Sequence, residues 1–254
     1  MSWLVGHGLD WPRMRHWNQV SQLKLFDSCQ SMLADDERGR ITYVPAFVDA
    51  ETAQAWFTEL HGGVRWRSQR REMYDREVVV PRLLGHFRLD PAPDATPTAV
   101  LEAARRVVAH LGVPFNSVGL NLYRDGRDSV APHNDHLYDI REGFPIALLS
   151  LGATRRMTIR AKAAPRRSLH VDLETGSLLV MDYSTQIHYT HGVPKTSATV
   201  GERISLAFRV KPDQQPAKPS GTTASTDNLA PIGPGVASVS GPEGPHVELT
   251  VFPS

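Results

Sequence analysis

A chain of 254 residues with 41% hydrophobic and 22% charged residues has the composition of a globular protein built around one large domain, which excludes a fibrous or wholly disordered chain. Its single cysteine, Cys29, excludes an internal disulfide framework and a Cys-rich zinc knuckle, so histidine and carboxylate must furnish any metal site. The net charge of +1 conceals an arginine-rich body: residues 1–210 carry 26 Lys+Arg against 23 Asp+Glu, and the whole chain has only five lysines.

Residues 1–40 show weak periodicity; a helix is the best reading of "QVSQLKLFDSCQSML", and Trp3, Trp11 and Trp17 suggest packing onto a neighbour. Charges and a proline interrupt "MSWLVGHGLDWPRMRHW" where a secretory signal needs an unbroken apolar run, and no window is long and apolar enough for a membrane span. A cytoplasmic monomer with no membrane partner is therefore expected. "VDAETAQAWFTELHGG" predicts a helix with Asp49 as N-cap, Ala53, Trp56, Phe57 and Leu60 on one face, and a Gly62-Gly63 stop. A second helix is predicted with Thr96 as cap and Pro97 first, with Val100, Leu101, Ala104, Val107, Val108 and Leu111 on one face, stopped by Gly112.

From there the period changes from helical to alternating. "VGLNLYRDG", "PIALLSLG", "RRMTIRA", "SLHVDLETG", "GSLLVMD" and "ERISLAFRV" read as strands, with no helical pattern between them. Two helices followed by many short strands predict an α+β protein whose sheets close as a jelly roll. Residues 211–254 hold eight of the nineteen prolines and few large apolar side chains, the composition of a largely disordered tail. The expected division is an N-terminal extension over 1–40, one domain over 41–210 and the tail.

The pattern His-x-Asp occurs twice, as His133-x-Asp135 in "APHNDHLYD" and as His170-x-Asp172 in "SLHVDLETG". In the second copy Leu169, Val171 and Leu173 alternate with His170, Asp172 and Glu174, which puts the polar set on a solvated face. The first copy follows a strand whose second face carries Asn121 and Tyr123, and a Gly126 turn gathers polar side chains near it. "QIHYTHGVPK" offers His188 or His191 as a third ligand. Two histidines and one carboxylate leave open positions of the kind used by non-haem Fe(II) oxygenases, although zinc accepts the same ligands.

The last strand narrows the choice. Ile204, Leu206, Phe208 and Val210 form its core face, so Arg203, Ser205, Ala207 and Arg209 share the other. Two arginines aimed inward are costly unless anions meet them, whereas on an edge strand they would simply face water. Placed about 20 Å apart along the strand, their long side chains can converge on a small dicarboxylate. Earlier in the chain, residues 65–88 hold seven arginines and three acids, with Trp66, Tyr74 and Phe87 interleaved. That composition suits a lid over a base, in which arginine meets phosphate and a ring stacks; a hairpin with an aromatic face in the core is the alternative.

Taken together, "LNLYRDGRDSVAPHND", "PIALLSLGATRRMTIR", "GSLLVMDYSTQIHYTHGVPK", "ERISLAFR" and "PRLLGHF" resemble, in order and nearly in spacing, the AlkB family of Fe(II)/2-oxoglutarate-dependent dioxygenases, and within it the nucleic-acid repair branch. The resemblance covers roughly residues 40–210 and implies a double-stranded β-helix with two flanking helices. It implies Fe(II) on His133, Asp135 and His191, and 2-oxoglutarate held by Arg203 with Arg209, Asn121, Tyr123 and Ser205. O₂ is then consumed, 2-oxoglutarate becomes succinate and CO₂, and an N-methyl group on alkylated DNA, or RNA, is hydroxylated and lost as formaldehyde. Arg70, Arg71, Tyr74, Arg82 and His136 are the expected substrate contacts. One departure stands out: relatives usually place acids directly after the iron-binding aspartate, whereas His136, Leu137 and Tyr138 stand here. A protein or small-molecule substrate for the same oxygenase fold is the alternative.

Overall fold

A computed structural model describes residues 30–73 and 76–212, together with the side chains of these residues outside 71–78. The predicted helix over "QVSQLKLFDSCQSML", the tail and Tyr74 lie wholly or mostly outside the described residues. Where the first overlaps them, Ser31–Leu33 are extended: they open β1 (Ser31–Asp36), which forms a hairpin with β2 (Gly39–Val44). The sheet thus starts ahead of residue 41. Among the described residues no helix is long and apolar enough to cross a membrane.

Helix α1 (Ala50–Gly63) begins as predicted, with the Asp49 carboxylate accepting the Thr52 N–H at 2.8 Å and hydroxyl at 2.8 Å. Helix α2 (Thr98–Leu111) begins two residues later than its predicted cap. Pro97, not Thr96, is the cap residue: its carbonyl accepts from Val100 and Leu101, and the Ala99 N–H is met by the Glu59 carboxylate of α1 at 3.1 Å. The buried face of α2 runs through Ala99, Val100, Ala103, Ala104 and Val107, so Leu101, assigned to it by periodicity, points outward at 42% exposure.

Between the helices lie β3 (Arg67–Met73) and β4 (Arg76–Arg88); after α2 come β5 (Ser117–Tyr123), β6 (Val130–His133), β7 (Ile146–Gly152), β8 (Arg155–Ala161), β9 (Ser168–Leu173), β10 (Leu178–Met181), β11 (Tyr189–Val193) and β12 (Arg203–Arg209). A third helix, α3 (Tyr183–His188), interrupts the predicted run of strands. At six residues it is too short to show a helical period in sequence. All strand pairs are antiparallel, in an eight-stranded sheet ordered β1-β2-β10-β7-β12-β5-β4-β3 and a four-stranded sheet ordered β6-β11-β8-β9.

From β5 onward the chain passes back and forth between the two sheets, in the winding of a double-stranded β-helix. The central strands of the large sheet, β10, β7, β12 and β5, are consequently buried on both faces. One face carries Leu120, Leu122, Leu149, Ile204, Leu206 and Phe208 against α1 and α2, and the other carries Ile146, Leu148, Leu179 and Ala207 toward the small sheet. β12 sits between β7 and β5 in the middle of the sheet, so the edge-strand reading of its arginines is excluded.

Candidate metal and co-substrate centre

The small sheet delivers the metal-ligating side chains. β6 pairs with β11 so that His133 stands directly opposite His191, their ring centroids 4.5 Å apart. The strands approach this closely because residue 192 is glycine: a Cβ there would lie 2.8 Å from the Val130 carbonyl oxygen. Asp135, two residues beyond β6, brings its carboxylate 3.9 Å from His133 Nε2, and the ligand atoms of His133, Asp135 and His191 all fall within 4.8 Å of one another. Among the described residues this is the one such group of three. His188, the other candidate, ends α3 and stays outside it.

His133 and Asp135 are held from behind. His133 Nδ1 lies 2.9 Å from the Ala131 carbonyl, to which it donates in the tautomer that leaves the Nε2 lone pair for a metal. The Asp135 N–H donates to Gln186 Oε1 at 3.0 Å, and Arg209 Nε donates to Asp135 Oδ2 at 2.5 Å, leaving Oδ1 on the histidine side. Burial pushes His191 down to about 3, with His133 adding to the effect, so it is a neutral ligand at pH 7. Burial likewise lowers His133. At Asp135 burial opposes ionisation, but the Arg209 charge and hydrogen bond outweigh it and hold the carboxyl below its usual range.

The large sheet supplies a second cluster on its inner face. Arg203 is 1% exposed and lies opposite Tyr123 in the β12·β5 register, its guanidinium 5.1 Å from the ring centroid. Nη2 donates to Ser150 Oγ at 2.8 Å, whereas Nε and Nη1 are buried without a partner. Such unmet donors on a buried cation fit an anionic acceptor such as a carboxylate oxygen. Ser205 lies opposite Asn121, and Asn121 Oδ1 accepts Arg82 Nε at 2.7 Å. Arg209, expected to join Arg203 in bracketing a dicarboxylate, donates from Nε to Asp135 and from Nη1 to the Ala207 carbonyl. Gly119 lies beside it, where a Cβ would make contact with Arg209 Nη1 at 3.4 Å.

The expected substrate contacts divide. Arg82 faces inward: besides Asn121 it donates to the Ser129 carbonyl, and its charge reaches His133. It belongs to the rim of the metal centre. Arg70 is exposed on β3, and Arg71 follows it on the same strand. Two of the three aromatics in the proposed lid serve the core instead, since Trp66 and Phe87 pack with the helix-side cluster and Trp66 Nε1 donates to the His61 carbonyl. Beside Asp135, His136 stacks on Tyr138 at 5.0 Å, and Tyr138 is 74% exposed. Ser150 escaped the sequence reading; its signal was the one polar side chain in "IALLSLG".

The second His-x-Asp copy lies on the outer face of the small sheet. His170 stands opposite Thr158, and Asp172 pairs with Arg156 at 2.8 Å with both side chains exposed. It gathers no third ligand among the described residues.

The profile of the 2OG-Fe(II) oxygenase superfamily matches residues 40–209. The chain is 32% identical to alpha-ketoglutarate-dependent dioxygenase alkB homolog 3 of Bos taurus, over 68% of this chain and 67% of that protein. It is 38% identical to DNA oxidative demethylase ALKBH2 of Bos taurus over 118 residues, which cover 43% of this chain and 42% of that one. The solved structure of the non-heme alpha ketoglutarate dependent epimerase SnoN aligns at TM-score 0.48 and 15% identity, over 68% of this chain and 79% of that one.

Proposed function

The chain belongs to the AlkB family of the 2OG-Fe(II) oxygenase superfamily, and on that premise we propose that it oxidatively demethylates N-alkylated nucleobases of the 1-methyladenine and 3-methylcytosine type in DNA, with RNA the alternative nucleic acid. One observation carries the co-substrate half of this reading: a fully buried arginine, Arg203, whose Nε and Nη1 have no acceptor, in the sheet that faces a His-Asp-His cluster. The named activities of the relatives carry the substrate half.

His133, Asp135 and His191 would hold Fe(II), and Arg203, with Tyr123, Asn121, Ser150 and Ser205 around it, would hold 2-oxoglutarate by its distal carboxylate. Bound iron supplies the oxidation, in which O₂ and 2-oxoglutarate give succinate and CO₂ while N–CH₃ becomes N–CH₂OH; loss of formaldehyde then restores N–H. The chain's own part is orientation. Arg209 fixes the Asp135 carboxylate, Ala131 sets the His133 tautomer, and the sheet-on-sheet burial keeps water from the guanidinium of Arg203. Arg70, Arg71, Tyr74 and His136 are the proposed contacts to nucleic acid, and a monomer in the cytoplasm is the proposed setting.

The test is mass spectrometry of oligonucleotides bearing either lesion, incubated with the protein, Fe(II), 2-oxoglutarate and O₂, each omitted in turn. Loss of one methyl group per lesion only with all three present is expected. Succinate formed without demethylation would turn the search to a protein or small-molecule substrate, a reading favoured by the absence of acids at residues 136–138.

A further inference from the structure

Arg155, the first residue of β8, is an arginine that the metal and co-substrate roles above leave unused. It is 3% exposed, and among the described residues no carboxylate pairs with it. Its hydrogen bonds go to carbonyl oxygens: Nη1 donates to Asp125 at 2.9 Å, and Nη2 to Asp128 at 2.9 Å and Pro194 at 2.8 Å. Burying a cation whose hydrogen bonds all go to carbonyls is costly even with the Asp125 and Asp128 charges nearby, so the residue type needs a reason.

The three carbonyls supply it. Asp125 and Asp128 belong to the turn that leads into β6 and His133, while Pro194 follows β11 and His191. These two segments also touch directly: the Thr196 N–H donates to the Gly126 carbonyl at 2.8 Å, and a Cβ on Gly126 would lie 2.5 Å from the Thr196 carbonyl oxygen. The same guanidinium lies 5.6 Å from the centroid of Tyr123, against which Arg203 lies at 5.1 Å. A single planar fork therefore ties the approach to one histidine, the exit from the other and the ring that flanks Arg203. A lysine has the charge without the fork.

We infer that Arg155 is a positioning residue for the co-substrate: it sets Tyr123 against Arg203 and locks the 125–128 turn to Pro194, so that Arg203 presents Nε and Nη1 in one fixed orientation. It acts through Tyr123 and the two loops, and touches neither metal nor 2-oxoglutarate. The inference rests on the co-substrate reading above but not on the identity of the substrate.

Calorimetric titration of the full chain, loaded with Mn(II) in place of Fe(II), separates the possibilities without turnover. For Arg155→Met the Kd for 2-oxoglutarate rises by about tenfold or more, in the range seen when outer partners of a site are removed, while the Kd for Mn(II) stays within about twofold of wild type. Arg155→Lys, which keeps the charge, shows a smaller rise of the same kind, and it carries the test alone if the Met variant does not fold. Unchanged 2-oxoglutarate affinity in a folded variant overturns the inference, as does a parallel loss of Mn(II) and 2-oxoglutarate, which marks general loosening. Wild-type protein that binds Mn(II) but no 2-oxoglutarate would instead sink the co-substrate reading itself.

Discussion

The chain writes His-x-Asp twice, and the four-stranded sheet carries both copies on opposite faces. His133 and Asp135 look inward across β6 and β11 toward the large sheet, where His191 joins them. His170 and Asp172 look outward from β9, where Asp172 is neutralised by Arg156 in water. The spacing is the same in both places. What differs is the face, and with it the dielectric, the neighbours and the number of ligands within reach. Pleat alternation decides that face, which is why the flanking Leu169, Val171 and Leu173 were informative in sequence and the motif itself was not.

Substituting each copy breaks the comparison most sharply. Asp135→Asn removes a metal-ligating charge and strips Arg209 of its partner; Mn(II) binding and turnover should vanish, and the apo-protein should lose about 3 kcal/mol, as for other partly buried ion pairs cut on one side. Asp172→Asn on the outer face should leave binding and turnover at wild-type levels and cost at most about 1 kcal/mol. Titration calorimetry and urea melts of the two variants decide it. If the outer variant loses the metal, the faces have been assigned the wrong way round.

The next effect contrasts function with stability at one residue. With Arg203 in the proposed role, Arg203→Met removes two charge-assisted bonds to 2-oxoglutarate, each of about 1.5–3 kcal/mol, so affinity should fall on the order of a hundredfold or more. In the absence of co-substrate the same change replaces a buried cation having two unmet donors with an apolar side chain, and Tm should stay level or rise. A lower Tm together with normal affinity would mean that Arg203 serves the fold and not the co-substrate.

Weaker still is the contrast between β3 and the outer face of the small sheet. Arg70→Glu should weaken oligonucleotide binding and reduce the slope of log K against log salt by about 0.9, since one phosphate is no longer neutralised. Arg156→Glu, beside the second His-x-Asp copy, should leave that slope alone. Equal effects would remove the β3–β4 ribbon as the nucleic-acid face.

Much of this was legible before any fold was known. The strands of the jelly roll declared themselves by alternation, and β12 announced a charged inner face because Ile204, Leu206, Phe208 and Val210 could only be its other one. Other features were hidden because tertiary contacts set them. The start of α2 shifted since Glu59, forty residues earlier, caps it, and Arg209 turned to Asp135 because only the folded sheets bring them together. Trp66 and Phe87 looked like part of a stacking lid and went to the core, a choice that depends on which side of a ribbon the helices cover. Ser150 was passed over as one hydroxyl in an apolar run, although polar atoms in doubly buried strands are the ones that need a partner.

The smallest expected effect compares two aspartates that each face one arginine. Asp128 is 4% exposed and accepts from the Arg124 backbone N–H, Nε and Nη2; Asp172 is exposed and accepts from Arg156 alone. At Asp128 burial works against ionisation but the Arg124 bonds and charge prevail, and at Asp172 the Arg156 hydrogen bond dominates; both carboxyls therefore sit below their ordinary range. With the folded value beneath the unfolded one of about 3.9, each contributes stability that is complete above that pH and drains away as pH falls through the folded value. Asp128→Asn should flatten the acid limb of a stability-against-pH curve below about pH 4 and also lower the neutral plateau, because the buried acceptor serves the turn that leads to His133. Asp172→Asn should change the limb slightly and the plateau hardly at all, since water already screens its pair. Matching curves for the two variants would show that burial does not set the weight of these pairs, and the difference between the two faces would then rest on ligand geometry alone.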